Sequence, residues 1–397
     1  MTPPTPPRYA LNDPDFYLDD VDEAYRRLRA EAPVYRCEAA GFWALSKHAD
    51  VDAVSRNPQL FCSSQGVVVN DPMRDGTMPV APPSIIYMDP PAHVRYRRLV
   101  SKAFTPRMVK TLEPAIRELA RRTVGAIVPG EAIDFVEHVA VPLPMLVIAD
   151  MLGIPSADRA RFKRWSDDIV AGADQGVQAT MGVMQELFGY FMEVLAARRN
   201  ALEQDLISAL AFAEVDGERL SDEEILMFCM TLLVAGNETT RNLIAGGAHA
   251  LMRFPDERRR LVDEPMLLSR AIDEMLRYVT PVKTFARTAT RDTTIRGQAI
   301  AAGDYLVLLY ASANRDEEVW GPAAERFDVA RSPEPGHLAF GIGQHSCLGA
   351  NLALLESRML FEELLARFPD FELAGDVVRV RSTVMSGIAR MPVVFGG

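Results

Sequence analysis

Apolar residues recur at helical spacing from about Ala92 to Tyr278, which predicts a chain built mainly from amphipathic helices. A shorter pattern of the same kind covers residues 21–31. Strand signals are confined to short stretches. Pro33 to Ala44 carries aromatic and β-branched residues in a span suited to a small hairpin, and Thr293-Thr294-Ile295 and Leu306-Val307-Leu308-Leu309 read as further strands. Residues 62–88 mix Pro and Gly with Val67-Val68-Val69 and Ile85-Ile86, as a long loop acting as a lid would. A second Pro/Gly-rich stretch spans 321–346, a final helix runs from about Leu348 to Phe368, and β-type segments finish the chain. No repeat period and no linker interrupts this pattern. The expectation is therefore one domain over 1–397, mainly α with a minor β region, with a mobile arm over about residues 1–12.

One helix is out of the ordinary. Ser221-x-x-Glu224 is a capping-box pattern at its start, and Pro255 marks its end. The roughly 33 residues between them reach about 50 Å at 1.5 Å per residue, enough to cross the whole molecule. Its apolar middle carries Ala235-Gly236-Asn237-Glu238-Thr239-Thr240. Gly236 reads as a place where another helix packs closely. A threonine hydroxyl bonded back to a helix carbonyl, beside Glu238, would alternatively open a notch for a small ligand and a proton source.

Composition narrows the partners. A formal net charge of -11 makes nucleic acid an unfavourable partner, and neither an N-terminal leader nor a membrane-spanning segment is expected from the pattern. The four cysteines, Cys37, Cys62, Cys229 and Cys347, lie far apart, which suits a reducing cytoplasm better than a disulfide framework or a zinc site. Three of them read as small buried hydrophobes. Cys347 differs, because Phe340-Gly341-Ile342-Gly343-Gln344-His345-Ser346-Cys347-Leu348-Gly349 leads straight into the final helix. A cysteine at a helix N-terminus meets free N–H groups and the positive end of the macrodipole, and both favour thiolate, a strong donor to iron. The Gly341-x-Gly343 pair also suggests a dinucleotide loop, but Ser346 stands where that loop needs Gly and no long strand precedes it.

Phe340-x-x-Gly343-x-His345-x-Cys347-x-Gly349 resembles the haem-binding signature of the cytochromes P-450. Other segments resemble the family in the right order: Asp89-Pro90-Pro91-x-His93-x-x-x-Arg97, the Ala235–Thr240 segment, Glu274-x-x-Arg277, and Glu325-Arg326-Phe327. The likeness extends from about Asp13 to the C-terminus. It departs from the usual pattern at Glu238, where many members carry Asp, and at Ala324, where Pro is common.

The resemblance implies the P-450 fold, with haem b (iron protoporphyrin IX) between the long helix and the cysteine loop. It implies Cys347 as iron ligand, His93, Arg97, Arg287 and His345 on the haem propionates, and Phe340, Gly341 and Gly349 against the haem. Glu238 and Thr239 would deliver protons during oxygen activation. Glu274 and Arg277, joined by Arg326, would form a structural buried ion pair. The substrate pocket implied is apolar: Val68, Val69, Ile85 and Ile86 in the lid, Leu232 and Ala235 on the long helix, then Val282, Thr284, Phe285, Val384 and Met385. The activity implied is oxidation of a hydrophobic small molecule (a steroid, terpenoid, fatty acid or polyketide) by a cytoplasmic monomer without a membrane anchor. No electron-transfer module is visible on the chain, so a ferredoxin and its reductase would supply electrons. They would dock on exposed cations near the cysteine: Arg95, Arg98, Lys102, Arg107, Lys110 and Arg358. Two other readings remain, a peroxide-driven haem-thiolate enzyme and a haem sensor without catalysis.

Overall fold

The capping box forms as the sequence predicts. The Ser221 hydroxyl accepts from the Glu224 N–H at 3.1 Å, and the Glu224 carboxylate accepts from the Ser221 N–H at 2.8 Å. It starts an uninterrupted helix over Asp222–Arg253, and the chain leaves it at Phe254, just before Pro255. The computed structural model describes residues 9–19, 21–74, 76–78, 84–101, 104–172, 177–201, 203 and 205–396. The long helix is the axis around which the other helices pack. At Gly236 a Cβ would stand 2.7 Å from Ile148 Cδ1, so the helix Pro142–Met151 can lie against it only because this residue has no side chain. The helix Leu268–Val279 packs further along, with Met275 Sδ 2.7 Å from where a Cβ on Gly247 would stand.

The principal sheet has five strands in the order Val34–Cys37, Phe42–Leu45, Tyr305–Leu309, Thr284–Ala289, Phe61–Cys62. Its central strand, Tyr305–Leu309, is buried at every position, which explains its continuous apolar run. It runs parallel to Phe42–Leu45 and antiparallel to Thr284–Ala289, with Leu306 opposite Arg287. Because side chains alternate along a strand, Phe285 and Arg287 share one face while Thr284 and Ala286 share the other. A smaller sheet, Phe371–Leu373, Pro392–Phe395 and Ala132–Asp134, joins the chain's end to its middle.

Several expectations needed correction. The final helix begins at Ala350, two residues later than expected, and ends at Arg367. The mobile arm expected over residues 1–12 is packed from Tyr9 onward. Leu11 is fully buried and its carbonyl accepts from the Tyr17 hydroxyl at 2.8 Å, while residues 1–8 lie outside the described residues. Most of the 62–88 segment is described, except 75 and 79–83. It holds a short helical turn at Ile85–Tyr87 and a turn built on Asp71, whose carboxylate accepts from the Val67 N–H at 2.8 Å. No helix of the described residues is long and apolar enough to cross a membrane.

Candidate active site

Cys347 sits on a loop between a short helical turn, Gly343–His345, and the helix Ala350–Arg367. Its N–H donates to the Phe340 carbonyl at 2.7 Å, closing the loop on itself. Gly343 is required here twice over. Its φ of 73° lies in the left-handed region, and a Cβ would stand 2.6 Å from the Ser55 carbonyl oxygen. The position is thus set by the close approach of the helix end at Ser55.

The Cys347 side chain is ringed by protein yet keeps open surface, because it faces a cavity of about 980 Å³ and not bulk water. Burial pushes the thiol up, opposed by the Gly349 N–H and by Arg97. The helix-terminus effect anticipated from sequence is therefore the smaller influence, and this helix starts three residues beyond Cys347.

Around Cys347 the cavity wall carries His93, Arg97, Arg287 and His345. His93 is 1% exposed and neither ring nitrogen has a hydrogen-bond partner among the described residues. The His345 ring lies 4.4 Å from that of His93, and its Nε2 is 3.1 Å from the Ser63 hydroxyl. Arg97 donates to the Gln344 carbonyl at 3.0 Å and to Ser346 Oγ at 3.3 Å, so it also braces the cysteine loop. Arg287 is buried and bonds its neighbour's carbonyl, that of Ala286, at 2.6 Å. Burial and the two arginines hold the His93 pKa down at about 4, and burial, Arg287, His93 and Arg97 hold that of His345 down at about 2. Asp89, the nearby acid, is engaged by the N–H groups of Ser63 and Ser64. A buried cluster of this sign calls for an anionic occupant, and orphaned imidazole nitrogens call for hydrogen-bond partners. A planar group with two carboxylates and a thiolate-seeking metal meets both demands, so these residues fit haem.

The opposite wall is the middle of the long helix. Thr239 Oγ1 donates to the Ala235 carbonyl at 2.7 Å, the back-bond anticipated from sequence, but the helix stays continuous and no break opens. Glu238 is buried, forms an ion pair with Arg241 on the next turn, and lies 3.5 Å from Asn242 Nδ2. Phe340, Gly341 and Gly349 line the cavity beside the cysteine.

The rest of the lining is mostly apolar, and Ile85, Ile86, Leu232, Ala235, Val282, Phe285 and Met385 lie in it as expected. Val68, Val69, Thr284 and Val384 do not. Val67 lines the cavity in place of its two neighbours, since the Asp71 turn sends Val69 into the core under the sheet and ties the Val68 carbonyl to the Tyr305 hydroxyl at 2.7 Å. Thr284 points to the far face of its strand, where Oγ1 donates to the Thr383 carbonyl at 2.8 Å. Met385 bridges Val282, which turns Val384 away.

The Glu274–Arg277 pair is buried, with Nε–Oε2 2.6 Å and both side chains 1% exposed. Arg326 does not join it. Its side chain is 68% exposed and only its carbonyl accepts from Arg277, at 3.0 Å, because the turn here points Phe327 inward instead. Arg331 is the third member, 3.1 Å from Glu274. The expected docking patch is also partly neutralised. The hairpin Glu214–Val215/Glu218–Arg219 and its turn bring Glu218 to 3.0 Å from Arg95 and pair Asp216 with Arg98, while Arg358 lies 3.7 Å from Glu362. Lys102 lies outside the described residues, and Arg107 and Lys110 are exposed.

Sequence reasoning missed Arg241 and Asn242, both next to the motif it had found. It also missed Glu356, a fully buried acid in the cavity wall whose Oε2 has no partner among the described residues and whose pKa burial pushes up to about 8. An acid after Leu354-Leu355 in an apolar helix was the available signal.

The family model for cytochrome P-450 matches residues 173–390. The chain is 41% identical to a steroid C26-monooxygenase of Mycobacterium tuberculosis, over 98% of this chain and 97% of that one. It is 40% identical to a methyl-branched lipid omega-hydroxylase of Mycobacterium bovis, over 96% of this chain and 93% of that one. Among solved structures, a cytochrome P-450 of Mycobacterium marinum in complex with pseudoionone covers 99% of this chain and is itself covered in full, at 38% identity and a TM-score of 0.88.

Proposed function

The chain belongs to the cytochrome P-450 family and is a haem-thiolate monooxygenase of hydrophobic substrates, and from that premise we propose that it oxidises the side-chain end of a steroid or methyl-branched lipid. The observation that carries this reading is the single cavity that joins the Cys347 loop, the buried cationic cluster and the Glu238–Thr239 wall to a long apolar lining. Its volume of about 980 Å³ lies near the top of the roughly 300–1,000 Å³ range of small-molecule pockets.

In this reading the cofactor is haem b, with Cys347 on the iron and His93, Arg97, Arg287 and His345 on its carboxylates. Haem, when bound, supplies the centre at which dioxygen is reduced and one oxygen atom is inserted into a C–H bond. The protein's own residues do the rest. Apolar side chains place the lipid and exclude water, which limits wasteful reduction. Thr239 Oγ1, already donating to Ala235, keeps lone pairs free to accept a hydrogen bond from water in the cavity. Glu238 holds the proton to be delivered at its carboxylate, with Arg241 fixing the orientation. Thr239→Ala is expected to leave NADH consumption within about twofold while most of the electrons go to hydrogen peroxide. Full coupling in that variant, with a well-bound substrate, rejects the role.

Electrons come from a cytoplasmic ferredoxin and its reductase. Exposed Arg107 and Lys110 lie on the helix Pro106–Gly125, which braces the cysteine helix through Arg117 and Glu362 at 2.9 Å. They replace the paired Arg95 and Arg98 as the steering charges. Reversal of both, Arg107→Glu with Lys110→Glu, is expected to slow first-electron uptake about tenfold at low salt and leave substrate affinity unchanged. A rate indifferent to both the charges and the ionic strength overturns this docking site. The substrate class is tested by titrating steroids and methyl-branched lipids against the haem absorption spectrum, followed by product analysis. A panel in which neither class shifts the spectrum or is oxidised rejects it.

A further inference from the structure

The long helix carries a polar stripe that an apolar core does not need. Glu238, Asn242, His249 and Arg253 fall at successive turns of one face, with Gly246 between them, and run about 22 Å from the cavity wall to the helix's C-terminal end. A second cavity of about 220 Å³ lies along this face, lined by Asn242, His249, Arg253, Lys283, Arg315 and Asp22 among others. At about 30 Å³ per water it accommodates several, and its lining offers each of them polar partners.

Asn242 stands between the two cavities. It is 1% exposed, it lines the smaller cavity, and its Nδ2 lies 3.5 Å from Glu238 Oε1. Its Oδ1 has no hydrogen-bond partner among the described residues, the condition of an atom awaiting water. Residue 387 keeps the space beside that atom clear. A Cβ on Gly387 would stand 2.7 Å from Asn242 Oδ1, and Gly387 itself lines the smaller cavity.

We propose that the smaller cavity is a water-filled proton inlet that recharges Glu238 from solvent through water bound at Asn242. The inlet carries protons only. Each turnover takes up two protons and two electrons with one dioxygen and releases one water beside the oxidised product. Every proton Glu238 gives up returns to its carboxylate from a water, which is reprotonated from bulk at the Arg253 end. His249 faces this path in its neutral form at neutral pH, since burial and the nearby Arg253 and Arg379 hold its pKa down at about 4, and a neutral imidazole both accepts and donates. Lys283, Arg253, Arg315 and Arg379 face Asp19 and Asp22 across the lining, and Arg315 pairs with Asp22 at 3.2 Å.

This inlet rests on the assignment of Glu238 as the proton donor, and its tests separate the two. The first reads the cavity itself. Asn242→Cys, in haem-loaded protein with phenylimidazole filling the large cavity, is treated with a small charged methanethiosulfonate. Modification is expected at least tenfold faster than for Ala245→Cys, a fully buried position on the same helix that lines neither cavity. Equal, slow modification overturns a water-filled inlet. The second test reads proton flow in Asn242→Leu and Gly387→Val. The solvent deuterium isotope effect on turnover is expected to double at least, and product per NADH to fall several-fold, with first-electron uptake and substrate-induced spectral shifts unchanged. Where Gly387→Val fails to load haem, Asn242→Leu decides. Wild-type isotope effect and coupling beside a defective Glu238→Gln overturn the inlet alone. If Glu238→Gln is also fully coupled, the donor assignment falls and the inlet with it.

Discussion

Replacement of Cys347 by serine is expected to abolish the red-shifted absorption band of the reduced carbon monoxide complex and to reduce turnover to background. The band arises because a thiolate opposite the bound gas pushes electron density through the iron. A serine hydroxyl is a poor donor that stays protonated at neutral pH. The loop itself should survive the exchange. The N–H of residue 347 still reaches the Phe340 carbonyl, and Gly343 still fits against Ser55. Arg97, Arg287, His93 and His345 remain in the cavity wall, so some haem is retained and the spectrum can be read. Persistence of the red-shifted band in Cys347→Ser assigns the ligand elsewhere.

What sequence disclosed about this site follows from how each residue is constrained. Cys347, His345 and Gly343 lie in one short segment, so a local pattern displays them together. Glu238 and Thr239 were equally legible, because polar residues in the middle of an apolar helix break its periodicity. Arg287 was reachable only through the family likeness, since a strand arginine is usually exposed and nothing local announces a buried one. The failures are failures of direction. In Val67-Val68-Val69 the composition is right, but a turn held by Asp71, four residues on from Val67, decides which valine faces the cavity. Thr284 and Val384 each stand one residue from a position that does face the cavity, Phe285 and Met385, and alternation of side chains along extended chain makes a one-residue error complete. Arg95 and Arg98 are cations whose neutralising acids come from a hairpin more than a hundred residues away. The smaller cavity was not foreseen, although the stripe from Glu238 to Arg253 that lines it is visible at helical spacing.

The buried ion pair gives a second large effect. Arg277 donates to both Glu274 oxygens, at 2.6 and 2.8 Å, and to the carbonyls of Asn314, Ala324 and Arg326 at 2.8, 2.6 and 3.0 Å. Burial weakens the guanidinium's hold on its proton, against which Glu274 acts, so the charge is tolerated only inside this cage. Removing Arg277 leaves the carbonyls of Asn314 and Ala324 without their donor and takes one of the two guanidinium groups from a carboxylate at 1% exposure, while Arg331 still reaches Glu274 and the Arg326 carbonyl. The expected cost of Arg277→Ala is on the order of 3–5 kcal/mol, a large share of the roughly 5–15 kcal/mol that holds a native protein together. Most of the variant is therefore expected without haem or in aggregates, with a melting temperature far below that of the parent. The corrected membership sharpens the test. Arg326→Ala removes an exposed side chain and keeps the carbonyl that matters, so its effect should stay within about 0.5 kcal/mol. Arg331→Ala withdraws one of the two guanidinium groups on Glu274 and should fall between these limits. Thermal unfolding and haem content of the three purified variants check the order. A destabilised Arg326→Ala beside a normal Arg331→Ala would restore Arg326 as the third member, and a normal Arg277→Ala would make the whole cluster dispensable.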